Sequence, residues 1–162
     1  MAVLLRRLLG IGKLPADVRA AVETESILHL AEFVPVTFRF AGKVPGKASM
    51  GNVRSYVGAL VITPQRVVGT LSTVPRVAGR AIDLRWDAAD DGPVRGEFSA
   101  HGLLLEVDIG QVDPAFSGGL SLNYKTTLPE PVLTTLPRRS VAFSVPPEWV
   151  LRAVGVPAAR PA

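Results

Sequence analysis

The sequence predicts a mainly β domain, a single antiparallel barrel or sandwich of about seven to eight strands, with short helices before it and one after it. Three observations carry that expectation. From Ile27 to Val145 the dominant period is two, the spacing at which side chains alternate across a strand. Short clusters of Gly, Pro and Asp cut this stretch into pieces of strand length. Helical spacing is confined to the two ends and to one turn at Pro131–Leu136, which argues against an alternating α/β sheet.

Taken in order, Met1–Ile11 sets Met1, Leu4, Leu5, Leu8, Leu9 and Ile11 on one side of a helix turning ~100° per residue, with Arg6 and Arg7 opposite. Gly10 and Gly12 weaken its end. Leu14–Glu25 reads as a second helix. Pro15 suits a first turn, Asp17 complements the positive end of the helix dipole, and Val18, Ala21 and Val22 share a face. Ile27–Phe40 opens the sheet, with Val36, Phe38 and Phe40 alternating against Thr37 and Arg39. Pro35 marks an edge or a bend there, because it donates no ladder hydrogen bond. Gly42–Arg54, holding Pro45, Gly46 and Gly51, reads as a loop.

Ser55–Thr63 and Arg66–Leu71 flank Pro64-Gln65 as a tight hairpin, and Ala81–Trp86 alternates Ile82, Leu84 and Trp86 with Asp83 and Arg85. Val94–Ala100 follows the turn Asp87–Pro93. His101-Gly102 turns the chain into Leu103–Ile109, with Leu103, Leu105, Val107 and Ile109 inward and Glu106 and Asp108 outward. Leu120–Lys125 and Val141–Val145 complete the strands, and Pro147–Val154 is a closing helix begun by proline. The chain thus divides into a helical segment (1–24), a β domain (25–155) and a flexible tail (156–162).

At 162 residues one hydrophobic core suffices. With 48% hydrophobic and 20% charged residues the chain is too apolar to be disordered, and it has no stretch long enough for a spanning helix. Absence of cysteine removes disulfides, thiol nucleophiles and cysteine–zinc sites, and with no signal-peptide pattern in Met1–Lys13 it points to the cytoplasm. The net charge of +4 is uneven: +4 over 1–54, −2 over 55–125 and +2 over 126–162, so an anionic partner would meet the ends.

Three features of the β stretch resemble the bacterial pleckstrin-homology-like domains over about residues 25–125. They are Glu25-Ser-Ile-Leu-His-Leu30, the hairpin Gly58-Ala-Leu-Val-Ile-Thr-Pro-Gln-Arg-Val-Val68, and the strand pair ending in Leu120-Ser-Leu-Asn-Tyr-Lys125. The resemblance implies a barrel acting as a binding module, with basic residues between its first strands. Lys43, Lys47 and Arg54 hold those positions here. Val141–Val145 and Pro147–Val154 take the place of the family's longer closing helix.

Few residues could carry chemistry. His29 and His101 have no metal-ligand spacing, and read as a strand-surface and a turn histidine. Glu106 and Asp108 share a strand face and read as solvated charges, though paired carboxylates can do acid–base work. Asp87, Asp90 and Asp91 lack the later glutamate of a calcium loop and read as a turn. Gly10-Ile-Gly12-Lys13 has no preceding strand to make a phosphate cradle. Arg138-Arg139 reads as a charged bend. Aromatics are 6% of the chain, with Phe38, Phe40, Trp86 and Phe98 on predicted core faces, which argues against nucleic-acid binding. No cofactor or metal is expected.

The leading expectation is therefore a non-enzymatic binding or scaffold module of pleckstrin-homology-like type, meeting a protein or a membrane surface in the cytoplasm. Leu4, Leu5, Leu8, Arg6 and Arg7 would form the face that docks on the barrel or lies on the membrane, making the protein peripheral in the second case. One alternative is a barrel holding a lipid-like apolar ligand in an internal pocket. A second is an enzyme using His101 with Glu106 or Asp108, which requires a shared cleft.

Overall fold

The computed structural model describes residues 13–73, 77–87 and 91–156. Eight antiparallel strands form one nearly closed, barrel-like sheet, accompanied by three short α-helices. The elements are α1 (Ala16–Glu23), β1 (His29–Val44), β2 (Lys47–Ile62), β3 (Arg66–Thr73), β4 (Val77–Arg85), β5 (Val94–Ser99), β6 (Gly102–Asp108), β7 (Ser117–Lys125), α2 (Glu130–Thr135), β8 (Ser140–Phe143) and α3 (Pro147–Ala153). A single turn of 3₁₀ helix, Ile109–Gln111, follows β6. The strand order is β4-β3-β2-β1-β7-β6-β5-β8.

Alternation along each strand fills the interior. Phe38 and Phe40 of β1, Leu60 and Ile62 of β2, Leu103 and Leu105 of β6, and Leu120 and Leu122 of β7 are all buried. The two halves of the sheet meet across this core. Trp86, just past β4, stacks at 5.7 Å on Phe98 of β5, and its indole N–H donates to the Thr63 carbonyl at 2.9 Å. Tyr124 of β7 reaches across to donate its hydroxyl to the Thr70 carbonyl of β3 at 3.0 Å, and complete burial pushes its phenol well above the ordinary value. Gly69 gives that ring its room, because a Cβ there would stand 3.1 Å from the ring and 2.8 Å from Ile82.

Helix α1 lies on the outer face of the β2–β3 hairpin. Leu14, Val18 and Val22 pack on Ala59, Val61 and Val68, so this hairpin is apolar on both faces. A bulge in β1, with Phe33 at φ 56° as its extra residue, leaves Glu32 pointing outward. Glu32 accepts from the Leu14 N–H and from Arg19, both at 2.7 Å, and so ties the start of α1 to the sheet. Pro35 follows the bulge and lies before the pairing with β7 begins at Val36, which is where a missing N–H costs least. At one barrel end, Val150 of α3 and Val154, the residue just after it, enter the core.

The fold corrects several sequence expectations. Gly42–Arg54 is not a loop but the tip of a long hairpin: β1 runs to Val44, Pro45-Gly46 makes a two-residue turn with Gly46 at φ 91°, and β2 starts at Lys47. Gly51, at φ 111°, is the bulge residue of β2 and breaks no strand. The strands from 66 and to 85 are longer than predicted, and the β5–β6 turn is Ala100-His101, one residue early, because Gly102 already pairs with Ser99. His29 is not a strand-surface histidine. It pairs with the inward Ile62, and its Nε2 is buried without a hydrogen bond. The first-helix face of Leu4, Leu5, Leu8, Arg6 and Arg7 lies outside the described residues, as does the tail from 157.

Candidate functional site

The predicted basic positions do not converge. Lys43 is exposed on the outward face of β1 beside Ser117, whereas Arg54 is exposed opposite Phe38, roughly 17 Å further along the hairpin at ~3.4 Å per residue. Lys47 is occupied elsewhere: its ammonium donates to the Val154 carbonyl at 2.6 Å, closing the C-terminal end of α3.

The predicted histidine–carboxylate pairing is not assembled either. His101 stands at the β5–β6 turn, and Glu106 is about 16 Å along β6 from it at ~3.3 Å per residue. His101 lines one hollow, and Glu106 and Asp108 line another. Asp87 is paired with Arg85 at 3.1 Å, and Arg139 with Glu130 at 3.4 Å. Among the described residues no three His, Asp or Glu side chains are grouped to hold a metal ion.

What the strand order does bring together is a face the sequence did not single out. Because β7 lies between β1 and β6, outward residues of four strands fall in register: Arg39 opposite Ser121, Ser121 opposite Glu106, and Glu106 opposite Arg95. The next outward row sets Ala41, Gly119 and Asp108 side by side. The β7 column is low, since Gly119 and Ser121 carry almost no side chain, while its neighbours are long. The result is a trough of about 650 Å³ with Arg39 on one bank and Glu106, Asp108 and Arg95 on the other. A second, separate hollow of about 420 Å³, lined by His101, Asn123, Lys125, Thr126 and Thr127, lies further along β7.

Two glycines shape the near end of the trough. Gly42 and Gly118 are cross-strand partners, and a Cβ on Gly118, at φ 98°, would stand 2.2 Å from the Ala41 carbonyl oxygen. Only glycine lets β1 and β7 approach so closely.

The charges of the trough are free. None of Arg39, Arg95, Glu106 and Asp108 takes part in an ion pair or side-chain hydrogen bond among the described residues. Arg39 stands two strand spacings, about 10 Å, from Glu106, too far for direct neutralisation, and Arg95 stands one spacing from Glu106 without an ion pair forming between them. Such an arrangement can orient a ligand carrying both signs of charge.

The buried core cluster faces the interior, and the two hollows described are lined by residues of the outer sheet surface and the β5–β6 end. No helix among the described residues is long and apolar enough to cross a membrane. No protein-family model, curated protein or solved structure matches this chain.

Proposed function

We propose that the chain is a non-enzymatic binding module, of the kind its pleckstrin-homology-like resemblance implies, and that it holds a protein partner in the trough along β7. One observation carries the reading: four charged side chains of both signs line a floor of Gly119 and Ser121 with no partners of their own. On the β2–β3 side, by contrast, Arg66 is used internally, in bridges to Glu25 and Asp83. Unpaired charges in a hollow give a partner register and orientation more than raw affinity.

Neither alternative gains a comparable support. Neither hollow described is internal, and His101 lines one of them while Glu106 and Asp108 line the other.

The reading is tested by competitive fitness of a strain whose chromosomal copy carries Arg39→Ala, Arg95→Ala, Glu106→Ala and Asp108→Ala together. The expected result is the fitness of the deletion strain from a protein that melts as the native one does. Wild-type fitness would refute it.

A further inference from the structure

β2 has 16 residues and its outer neighbour β3 has 8. β1 pairs with β2 along the whole hairpin, but β3 covers only Val57–Ile62. The other edge of Lys47–Tyr56 therefore meets no strand among the described residues. On this bare edge lie Met50, fully exposed, and Val53, 50% exposed, the exposed large hydrophobic residues of the described chain. A bare edge bearing apolar side chains is a template for another strand.

We propose that the strand it accepts is Lys47–Tyr56 of a second copy of this chain, laid antiparallel about a two-fold axis between Gly51 and Asn52. Three features of the edge fit that occupant. The first is length. In this register Lys47 meets Tyr56 of the partner subunit and Tyr56 meets Lys47 of the partner subunit, so the paired stretch runs from the Pro45-Gly46 turn to the end of β3 with no gap.

The second is the bulge. Met50 would lie opposite Val53 of the partner subunit, and in a regular strand residues three apart point to opposite faces, which would forbid the pair. Gly51 removes the conflict. Met50 and Val53 pair with the outward Ala41 and Arg39 of β1, so both stand on the outer face.

The third is side-chain complementarity. Each exposed apolar residue covers the other, twice over, and neither cation of the segment opposes another: Lys47 meets a tyrosine, and Arg54 meets Ser49 of the partner subunit. The paired edge is the side of β2 away from β1 and β7, so the inference does not rest on the proposed partner binding.

The paired edge holds fewer residues a side than the roughly 20–30 of a standard interface, so weak, reversible self-association is expected. The chain has no cysteine, which makes cross-linking selective. Met50→Cys and Val53→Cys proteins of distinguishable mass are mixed and oxidised. A covalent dimer joining one of each is expected, and little from either alone, because like residues lie about 10 Å apart across the axis, beyond disulfide reach. Sedimentation equilibrium of the cysteine-free protein should show a reversible dimer, weakened at least tenfold by Val53→Asp at an unchanged melting temperature. A native chain that stays monomeric to about 1 mM, or cross-links that form equally within each single variant, would overturn the proposal.

Discussion

The two wings of the outer sheet surface differ in what stands on them. On the β2–β3 wing, α1 covers Ala59, Val61 and Val68, and the surrounding charges are closed into pairs: Arg66 with Glu25 and Asp83, Arg19 with Glu32. On the β1–β7–β6–β5 wing nothing covers the sheet within the described residues, and Arg39, Arg95, Glu106 and Asp108 have no partners. The same residue types thus do different work. In the first wing charge ties α1 and the β2–β3 hairpin together, and in the second the four charges make no internal ion pair among the described residues.

The comparison breaks most visibly where the covered wing is buried. Val22 of α1 has no exposure, so Val22→Asp places a carboxylate against Val61 and Val68 with no counter-charge. A loss of about 3–5 kcal/mol is expected in urea unfolding. If α1 instead peels away cheaply, the loss stays below about 1 kcal/mol and the covered wing is not part of the fold.

The next effect is electrostatic. Arg66, 16% exposed at the side chain, donates to both Glu25 and Asp83, and these bonds raise its pKa above the ordinary value. Arg66→Ala leaves two carboxylates facing each other and should cost about 2 kcal/mol. High salt should narrow the difference between variant and native protein.

Thr63 belongs to the same cluster, with its hydroxyl donating to Glu25 at 3.0 Å and accepting from the Gln65 and Arg66 N–H groups. This is the physical reason the Thr63–Arg66 hairpin was legible in the sequence. Its turn is closed by local bonds that local residues encode. The alternation of β6 was legible for a similar reason, since one face of each strand must enter the core, and Leu103, Leu105, Val107 and Ile109 do.

The tip of the β1–β2 hairpin was not legible. Residues 47–56 pair with one strand only and bury little, so no apolar period marks them, and Gly46 and Gly51 read as loop when the first serves a turn and the second a bulge. The trough was hidden for another reason. Arg39, Ser121, Glu106 and Arg95 are neighbours only because β7 inserts between β1 and β6, a long-range pairing that no local pattern announces. One signal was available: the outward positions of β7 are Ser117, Gly119, Ser121 and Asn123, unusually small for a strand flanked by long charged residues. Lys47 misled for the same long-range reason, because its acceptor on Val154 lies 107 residues away.

A smaller effect separates the barrel mouth from both wings. Burial pushes the His29 imidazole below its ordinary value, and its Nε2 has no hydrogen bond. The unfolded chain therefore binds the proton first. The stability this group contributes is present above the ordinary value of about 6.5 and is lost as pH falls through it. Between pH 7.5 and 5.5 the native melting temperature should drop by about 1–3 °C more than that of His29→Leu. Parallel curves would show that the imidazole is hydrated.

The smallest effect belongs to the bare wing. Arg39→Ala, Arg95→Ala, Glu106→Ala and Asp108→Ala should each shift the melting temperature by no more than about 2 °C, since no internal bond is lost. A larger shift at any of them would place that residue with the structural charges of the other wing.

The contrast between the wings is tested most directly by photo-cross-linking in living cells, with a photoreactive residue at Ser121 on the bare wing or at Glu23, exposed on α1. The account predicts a discrete protein adduct from position 121 that disappears in Arg39→Ala/Glu106→Ala, and none from position 23. A discrete adduct from position 23 alone, or none from position 121, would contradict it.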